Sequence, residues 1–497
     1  MRRKAAEWNL LDSCSVATFN GIRFEVLLVA RWNEAVSLVV GAGSWSYSGR
    51  GIHIGQSSVP FRMKSVGFVV SDRDDDRSET VSRLDSDSFQ LSKNRRYLLY
   101  DVNMGEGFNL RRDVYMRVAN LVRQLRDKGD NWILVLPPWG AIYHWQTERL
   151  RGHQIRIPWS TFFDVSSLNR FVPVIEFEQY LKESGQGVID QVYYLQHYAE
   201  GWGGTWVEKW DYRDCIDRNY YTFDGGEEGS GQEPHWDGWF FGYQHEVIAK
   251  QFGCISIQGQ SSTLIPLLTA ENQTARSIMI DRAETILHDW FGDKYYWQGR
   301  RSMRYAKHLI RLADEFRETR LNSTDDLDQT IRTENWQDSE VPHGTAKGGP
   351  YACIHWRRKD FVRAHGKELP SIEGTSKQID MILKKHGLKV VFLATDAPDS
   401  EVKELETLLP PEYRLERYIP PEPVLSKYLD GGVSIIDQWI CAHARYFAGS
   451  HVSTFSFRIQ EDREILGFHP DMTFNRLCPD SNMTDCEQPA KWTIKYS

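Results

Sequence analysis

Glu106 stands between Gly105 and Gly107 and is followed by Phe108 and Asn109. Glycines let a backbone come close to a ligand, and a carboxylate held there can take the proton from an attacking hydroxyl. By itself this only places a carboxylate near a ligand. Far along the chain runs His355-Trp356-Arg357-Arg358-Lys359-Asp360. Arg357 is the candidate to hold a phosphate, since a guanidinium bonds two oxygens at once. The plain alternative is a solvated basic loop, and His355 alone reads as a structural histidine. Ser453-Thr454-Phe455-Ser456 offers hydroxyls and free N–H groups at a helix start, suited to phosphate binding or to ordinary capping. Asp437 interrupts the apolar run Ile435-Ile436-Asp437-Gln438-Trp439-Ile440. A buried carboxylate needs a partner, either a guanine edge or an internal arginine.

A base, a phosphate-holding arginine and a helix start are what moving a glycosyl unit from a nucleotide diphosphate to a hydroxyl requires. The departing diphosphate is neutralised by a metal or by arginine and helix N-termini. The sequence shows no metal cluster beside an ordered strand, and the second route is expected. An Asp-x-Asp pair in the charged run 71–78 reads as solvated tail.

The elements that position these residues are legible as period. Residues 97–100 are an apolar strand ending at Asp101, and a helix from Leu110 carries Val114, Val118, Leu121, Val122 and Leu125 on one face. Gly129 stops it, and 132–136 is a buried strand halted by Pro137-Pro138. Strand, loop, helix, strand is a parallel βαβ unit, whose ligands sit at the carboxyl ends of the strands. Residues 277–319 read as helical and 322–349 as a polar linker. A second α/β pattern follows, with strands at 351–355, 390–394 and 446–448 and helices at 376–386, 401–409 and 434–443. The predicted organisation is a tail at 1–93, a Rossmann-like domain at 94–320, a linker at 321–349 and a second Rossmann-like domain at 350–497. The site is expected in the cleft between the two domains.

At 497 residues the chain exceeds one core, and 41% hydrophobic with 26% charged residues is ordinary globular composition. The net charge of −8 argues against a general nucleic-acid binder. No apolar stretch of about 18 residues predicts a transmembrane helix. The 18 Trp, 22 Tyr and 23 Phe suit carbohydrate or protein surfaces but mostly fill cores. Cys478 and Cys486 flank a short polar loop, and Cys215 and Cys254 bracket a Gly/Glu-rich insertion. Both pairs suit disulfides in an oxidising compartment. Cys353 and Cys441 lie in apolar runs and read as buried free thiols. Sequons begin at Asn272, Asn322 and Asn482. Arg2, Arg3 and Lys4 could open a signal, but Arg31, Asn33 and Glu34 interrupt its apolar core.

Several motifs in combination resemble one family. They are Arg95-Arg96-Tyr97-Leu98-Leu99-Tyr100-Asp101-Val102-Asn103, Glu106-Gly107-Phe108-Asn109-Leu110-Arg111-Arg112-Asp113-Val114-Tyr115, Leu136-Pro137-Pro138-Trp139-Gly140 and Tyr143-His144-Trp145. With them stand Asp437-Gln438-Trp439-Ile440-Cys441-Ala442-His443-Ala444-Arg445 and Ser453-Thr454-Phe455-Ser456-Phe457-Arg458. From Arg95 onward the chain resembles the GDP-fucose protein O-fucosyltransferases, specifically the branch acting on thrombospondin type 1 repeats. The resemblance implies a GT-B-like α/β fold of two Rossmann-like domains facing a cleft. It implies metal-independent, inverting transfer of fucose to Ser or Thr of folded repeats, with no cofactor beyond the donor substrate GDP-fucose. It assigns the base to Glu106, diphosphate stabilisation to Arg357 and the donor loop to Gly105, Glu106, Gly107, Phe108 and Asn109. Further donor contacts fall on His355, Trp356, Arg357, Asp437, Thr454 and Phe455. It also supports the disulfides Cys215–Cys254 and Cys478–Cys486 and residence in the endoplasmic reticulum lumen. Met104-Gly105 stands where family members can have Pro-Pro, and Trp356 where Leu is usual. Two other readings are transfer to epidermal-growth-factor-like repeats and a non-catalytic folding sensor. A third, remoter one is a cytosolic nucleotide-sugar protein.

Overall fold

The computed structural model describes residues 95–497, apart from residues 146, 148, 149, 151, 153, 186, 202–205, 219, 227–232 and 331. Ahead of these, Val16–Phe19, Ile22–Leu27 and Val39–Val40 pair as a small antiparallel sheet. The remainder of the tail read at 1–93, including its charged run and signal-like segments, lies outside the described residues, as does Trp202.

β1 (Arg96–Tyr100), α1 (Phe108–Asp127) and β2 (Trp132–Leu136) form the parallel βαβ unit. The apolar stripe of α1 forms its buried face, with Val114, Val118, Leu121, Val122 and Leu125 in the core. Gly129 at φ +95° turns the chain out of α1, a conformation that favours glycine. All five residues of β2 are buried, as an interior parallel strand requires.

The first sheet continues with β3 (Val174–Glu176), β4 (Val188–Gln196), β5 (Lys209–Tyr212), β6 (Thr222–Asp224), β7 (His235–Asp237), β8 (Ile248–Gln258) and β9 (Ser277–Asp281). Its order is β3-β2-β1-β9-β4-β8-β7-β6, with β5 also on β8. The run from β3 to β8 is parallel, and the hairpin at the far edge is antiparallel.

β9 corrects the helical reading of 277–319. Ile278, Met279 and Ile280 are buried between β1 and β4, and so short an apolar run carries no period that separates strand from helix. After a single 3-10 turn at Ala283–Thr285, α-helices begin at α2 (Lys294–Ser302) and α3 (Lys307–Leu321). The polar stretch 322–349 owes its composition partly to a buried ion-pair network. The Arg317 guanidinium holds Asp325 and Asp328 at 2.9 and 3.0 Å, with Ser323, Asp328 and Thr330 buried.

The second sheet is β10 (Gly349–Trp356), β11 (Val390–Thr395), β12 (Arg414–Glu416), β13 (Ala444–Gly449) and β14 (Asn475–Arg476). All strands are parallel in the order β12-β11-β10-β13-β14. Its helices are α4 (Lys359–His365), α5 (Ile372–His386), α6 (Asp399–Leu408), α7 (Glu422–Ala442) and α8 (Thr454–Ile465).

Three disulfides join Cys215–Cys254, Cys353–Cys441 and Cys478–Cys486. The middle one overturns the reading of Cys353 and Cys441 as free thiols. Each sits in an apolar run because β10 and the end of α7 pack directly, bringing the two Cα atoms to 5.1 Å across 88 residues of sequence. That separation is within disulfide reach.

Candidate active site

Past β1 the chain forms a tight loop, closed where the Glu106 amide donates to the Asn103 carbonyl at 2.9 Å. Gly107 is the N-cap of α1. A Cβ at Gly107 would lie 3.1 Å from Cδ2 of His144, and the bare backbone lets that ring rest on the loop. Gly105 has no such neighbour, only Asn103 Nδ2 at 4.0 Å. Below the loop, Arg111 donates to the Glu106 carbonyl at 3.2 Å and Glu284 accepts from the Asn103 amide at 3.1 Å. Glu106 itself is half-buried. Burial and then the nearby Glu284 raise its pKa, against the pull of Arg111. Asp101 and Asp281, at the ends of adjacent strands β1 and β9, are also shifted upward by burial and by neighbouring carboxylates. The surroundings thus favour proton uptake by a carboxylate.

Asn109 is fixed from both α1 and α7. Its Oδ1 accepts from Arg112 Nη1 at 3.1 Å and from Gln438 Nε2, on α7, at 2.9 Å. Arg112 also donates to Gln438 Oε1 at 2.7 Å and to the Tyr305 hydroxyl at 3.0 Å. Phe108 is core, packed on Trp139, Trp145 and Phe162.

On the other side, Arg357 follows directly from β10. Its amide donates to Ser450 Oγ at 3.0 Å. Its guanidinium meets Asp360 at 2.7 Å and Asp396 at 2.9 Å, and Nη2 donates to His144 Nδ1 at 3.4 Å. Burial and then Arg357 lower the pKa of His144, leaving the neutral ring that can accept such a bond. His355 is buried, hydrogen-bonded through Nδ1 to Ser456 Oγ at 2.8 Å and stacked on Phe455 at 4.4 Å. Burial, then Arg357, pushes His355 down to about 3, so it is neutral at physiological pH. Thr454 begins α8, whose N-cap Ser453 makes no side-chain cap bond. The first N–H groups of α8 therefore keep their anion-binding capacity.

Asp437 distinguishes its two sequence alternatives. Its Oδ1 is buried and has no hydrogen-bond partner. Burial carries its pKa to about 8 against the pull of Arg417, and Arg417 itself pairs with Asp399 at 3.1 Å. An internal arginine therefore does not satisfy it, and the guanine-edge alternative keeps its physical basis. At Trp356 only the backbone is left for the expected donor contact. Its side chain is 1% exposed in the core beneath the second sheet, and its carbonyl accepts from Thr395 Oγ1 at 2.6 Å.

The structure thus sets Gly107, the neighbour of Glu106, and Arg357 against His144 and clusters His355 with Phe455 and Ser456. Sequence reasoning gave no role to His144, Asp360 or Asp396. The Tyr143-His144-Trp145 motif was the available signal for the first; the acids had none beyond proximity to Arg357. One His/Asp group with metal-ligand spacing does occur among the described residues: Asp224, His235 and Asp237. It lies on β6 and β7, at the edge of the sheet away from β1.

Two α/β halves, with a strand-end carboxylate loop on one and a strand-end arginine on the other, define a GT-B-like glycosyltransferase. A family model described as GDP-fucose protein O-fucosyltransferase matches residues 97–466. The chain belongs to that family and is a glycosyltransferase. It is 52% identical over 419 residues to GDP-fucose protein O-fucosyltransferase 2 of Caenorhabditis elegans, covering 84% of this chain and 94% of that protein. To the Homo sapiens protein of the same name it is 53% identical over 403 residues, covering 81% and 90%. The Drosophila melanogaster protein of that name is 39% identical over 422 residues, covering 81% and 83%.

Proposed function

We propose that this chain transfers fucose from GDP-fucose to Ser or Thr hydroxyls of folded thrombospondin type 1 repeats, with inversion and without a metal. The observation that carries the chemistry is the placement of the Glu106 loop and Arg357 on either side of His144. Glu106 takes the proton of the acceptor hydroxyl as its oxygen bonds to the anomeric carbon. The bond from that carbon to the β-phosphate oxygen breaks, and the electron pair leaves with GDP. Arg357 and the start of α8 meet the developing charge. His355 and Phe455 line the donor side, and the unpartnered Asp437 carboxylate accepts from the guanine N1–H and amino group. Support for the repeat as acceptor comes from the sequence resemblance, and the names of the relatives support a protein acceptor.

Three disulfides and exposed asparagines at Asn272, Asn322 and Asn482 support a secretory-pathway enzyme of the endoplasmic reticulum lumen. No helix among the described residues is long and apolar enough to cross a membrane. A transfer assay with GDP-fucose and two folded acceptors, a thrombospondin repeat and an epidermal-growth-factor-like repeat, tests the proposal in chelator. Fucose on the first alone is the expected result. Transfer only to the second, or a need for added metal, overturns the respective part; GDP binding without any transfer favours a folding sensor.

A further inference from the structure

Away from the donor loop, α2, the segment 332–339, α7 and α8 enclose a cavity of about 30 Å³. On that measure it has room for roughly two waters, or one tetrahedral oxyanion. Its lining includes Arg300, Arg301, Arg304 and Arg332, with Trp439 and Asp462. The charges do not balance. Arg300 is met by Glu461 at 2.5 Å and by Asp462 at 2.7 Å, and the other oxygen of Asp462 accepts from the Tyr305 hydroxyl at 2.8 Å. Arg301 donates only to the carbonyls of Trp336 and Ser339, and Arg304 to the carbonyl of Glu334. Arg332 lies over the Trp439 ring at 4.1 Å, and its buried Nε has no hydrogen-bond partner. The acids nearest to Arg332 on the adjoining elements, Asp314 and Asp325, are engaged by Arg317 at 2.7 and 2.9 Å.

Three guanidinium groups therefore share a small, partly desolvated space; Glu340 acts on Arg301 and Asp164 on Arg304 from a distance, and none of the three makes an ion pair among the described residues. Burial and then the neighbouring Arg332 push Arg304 down to about 10. Carbonyl dipoles and an indole face stabilise a cation but do not cancel its charge. A dianion with oxygens on several sides matches planar guanidinium donors converging from different elements.

We propose that this cavity is a binding site for a small tetrahedral oxyanion of the inorganic phosphate class, separate from the nucleotide site. The two sites are divided by Tyr305 and Arg112, which is itself bonded to Asn109 in the donor loop.

The test is thermal unfolding of the full chain saturated with GDP, so that phosphate cannot act through the donor site. Inorganic phosphate is titrated against sodium chloride at matched ionic strength. A saturable rise in Tm with phosphate, absent in chloride, is expected, and Arg332→Gln loses it while keeping the Tm seen in chloride. Should Arg332→Gln fail to fold, Arg304→Gln carries the same expectation. Equal responses to phosphate and chloride, or variants that keep the wild-type phosphate response, overturn the proposal. A failure of GDP itself to raise Tm counts against the donor reading instead, and the phosphate proposal then stands or falls on whether Arg332→Gln loses the wild-type phosphate response.

Discussion

Arg357 Nη2 donates to His144 Nδ1 at 3.4 Å across 213 residues of sequence, and the other edge of the same imidazole rests on Gly107 beside Glu106. A neutral ring thus spaces an acid loop on the first sheet from a cation on the second. The Arg357 guanidinium is met by Asp360 and Asp396 rather than by Glu106, and His144 holds the Glu106 loop apart from it.

Glu106→Gln removes the base while preserving shape. The expected outcome is a 10²–10⁴-fold loss of kcat, the usual contribution of general base catalysis (an order-of-magnitude figure), with GDP affinity within about threefold of wild type. Steady-state transfer kinetics and calorimetric GDP binding measure the two separately. Because the Glu106 pKa is raised, the acid limb of the kcat profile should lie above the ordinary carboxylate range of about 4.3.

His144→Ala should lower kcat more than it weakens GDP binding, since Arg357 keeps Asp360 and Asp396. His144→Asn, which offers a carbonyl to Arg357, should recover part of the loss. Equal activity of both variants and wild type would show that the spacer is dispensable.

Asp437 predicts a proton balance. Held at about 8 by burial, the free carboxyl is mostly protonated at pH 7, whereas guanine donors require the carboxylate. GDP binding should then release up to about one proton, read as a dependence of calorimetric heat on buffer ionisation enthalpy. Asp437→Asn should abolish that dependence and weaken GDP about tenfold or more, the order expected for a lost charged hydrogen bond. The linkage also runs through stability. A carboxyl whose folded pKa lies above its unfolded value costs stability as pH rises from about 4 toward 8. Without GDP, Asp437→Asn should therefore gain Tm relative to wild type over that window.

Non-reducing peptide mapping should recover the Cys353–Cys441 pair along with the other two. Replacing both cysteines with Ala should cost about 2–4 kcal/mol, the typical worth of a disulfide closing a long loop, seen as a lower denaturation midpoint. A free-thiol titration that finds these two cysteines reactive after unfolding without reductant would remove the bridge.

Local pattern alone determined much of this protein. The short apolar runs of β1 and β2, the stripe of α1 and the Gly129 stop were readable because burial imposes its period on neighbouring residues. Residue type and place in the pattern singled out Glu106 past β1, Arg357 past β10 and Asp437 within the apolar run of α7. Tertiary structure alone decided where Ser277–Asp281 belongs, because only insertion between β1 and β4 makes that run a strand. It decided that Cys353 meets Cys441, and that Trp356 turns into the core. It decided, too, that His144 stands between Glu106's loop and Arg357. These are contacts between residues tens to hundreds of positions apart, and no local period records them.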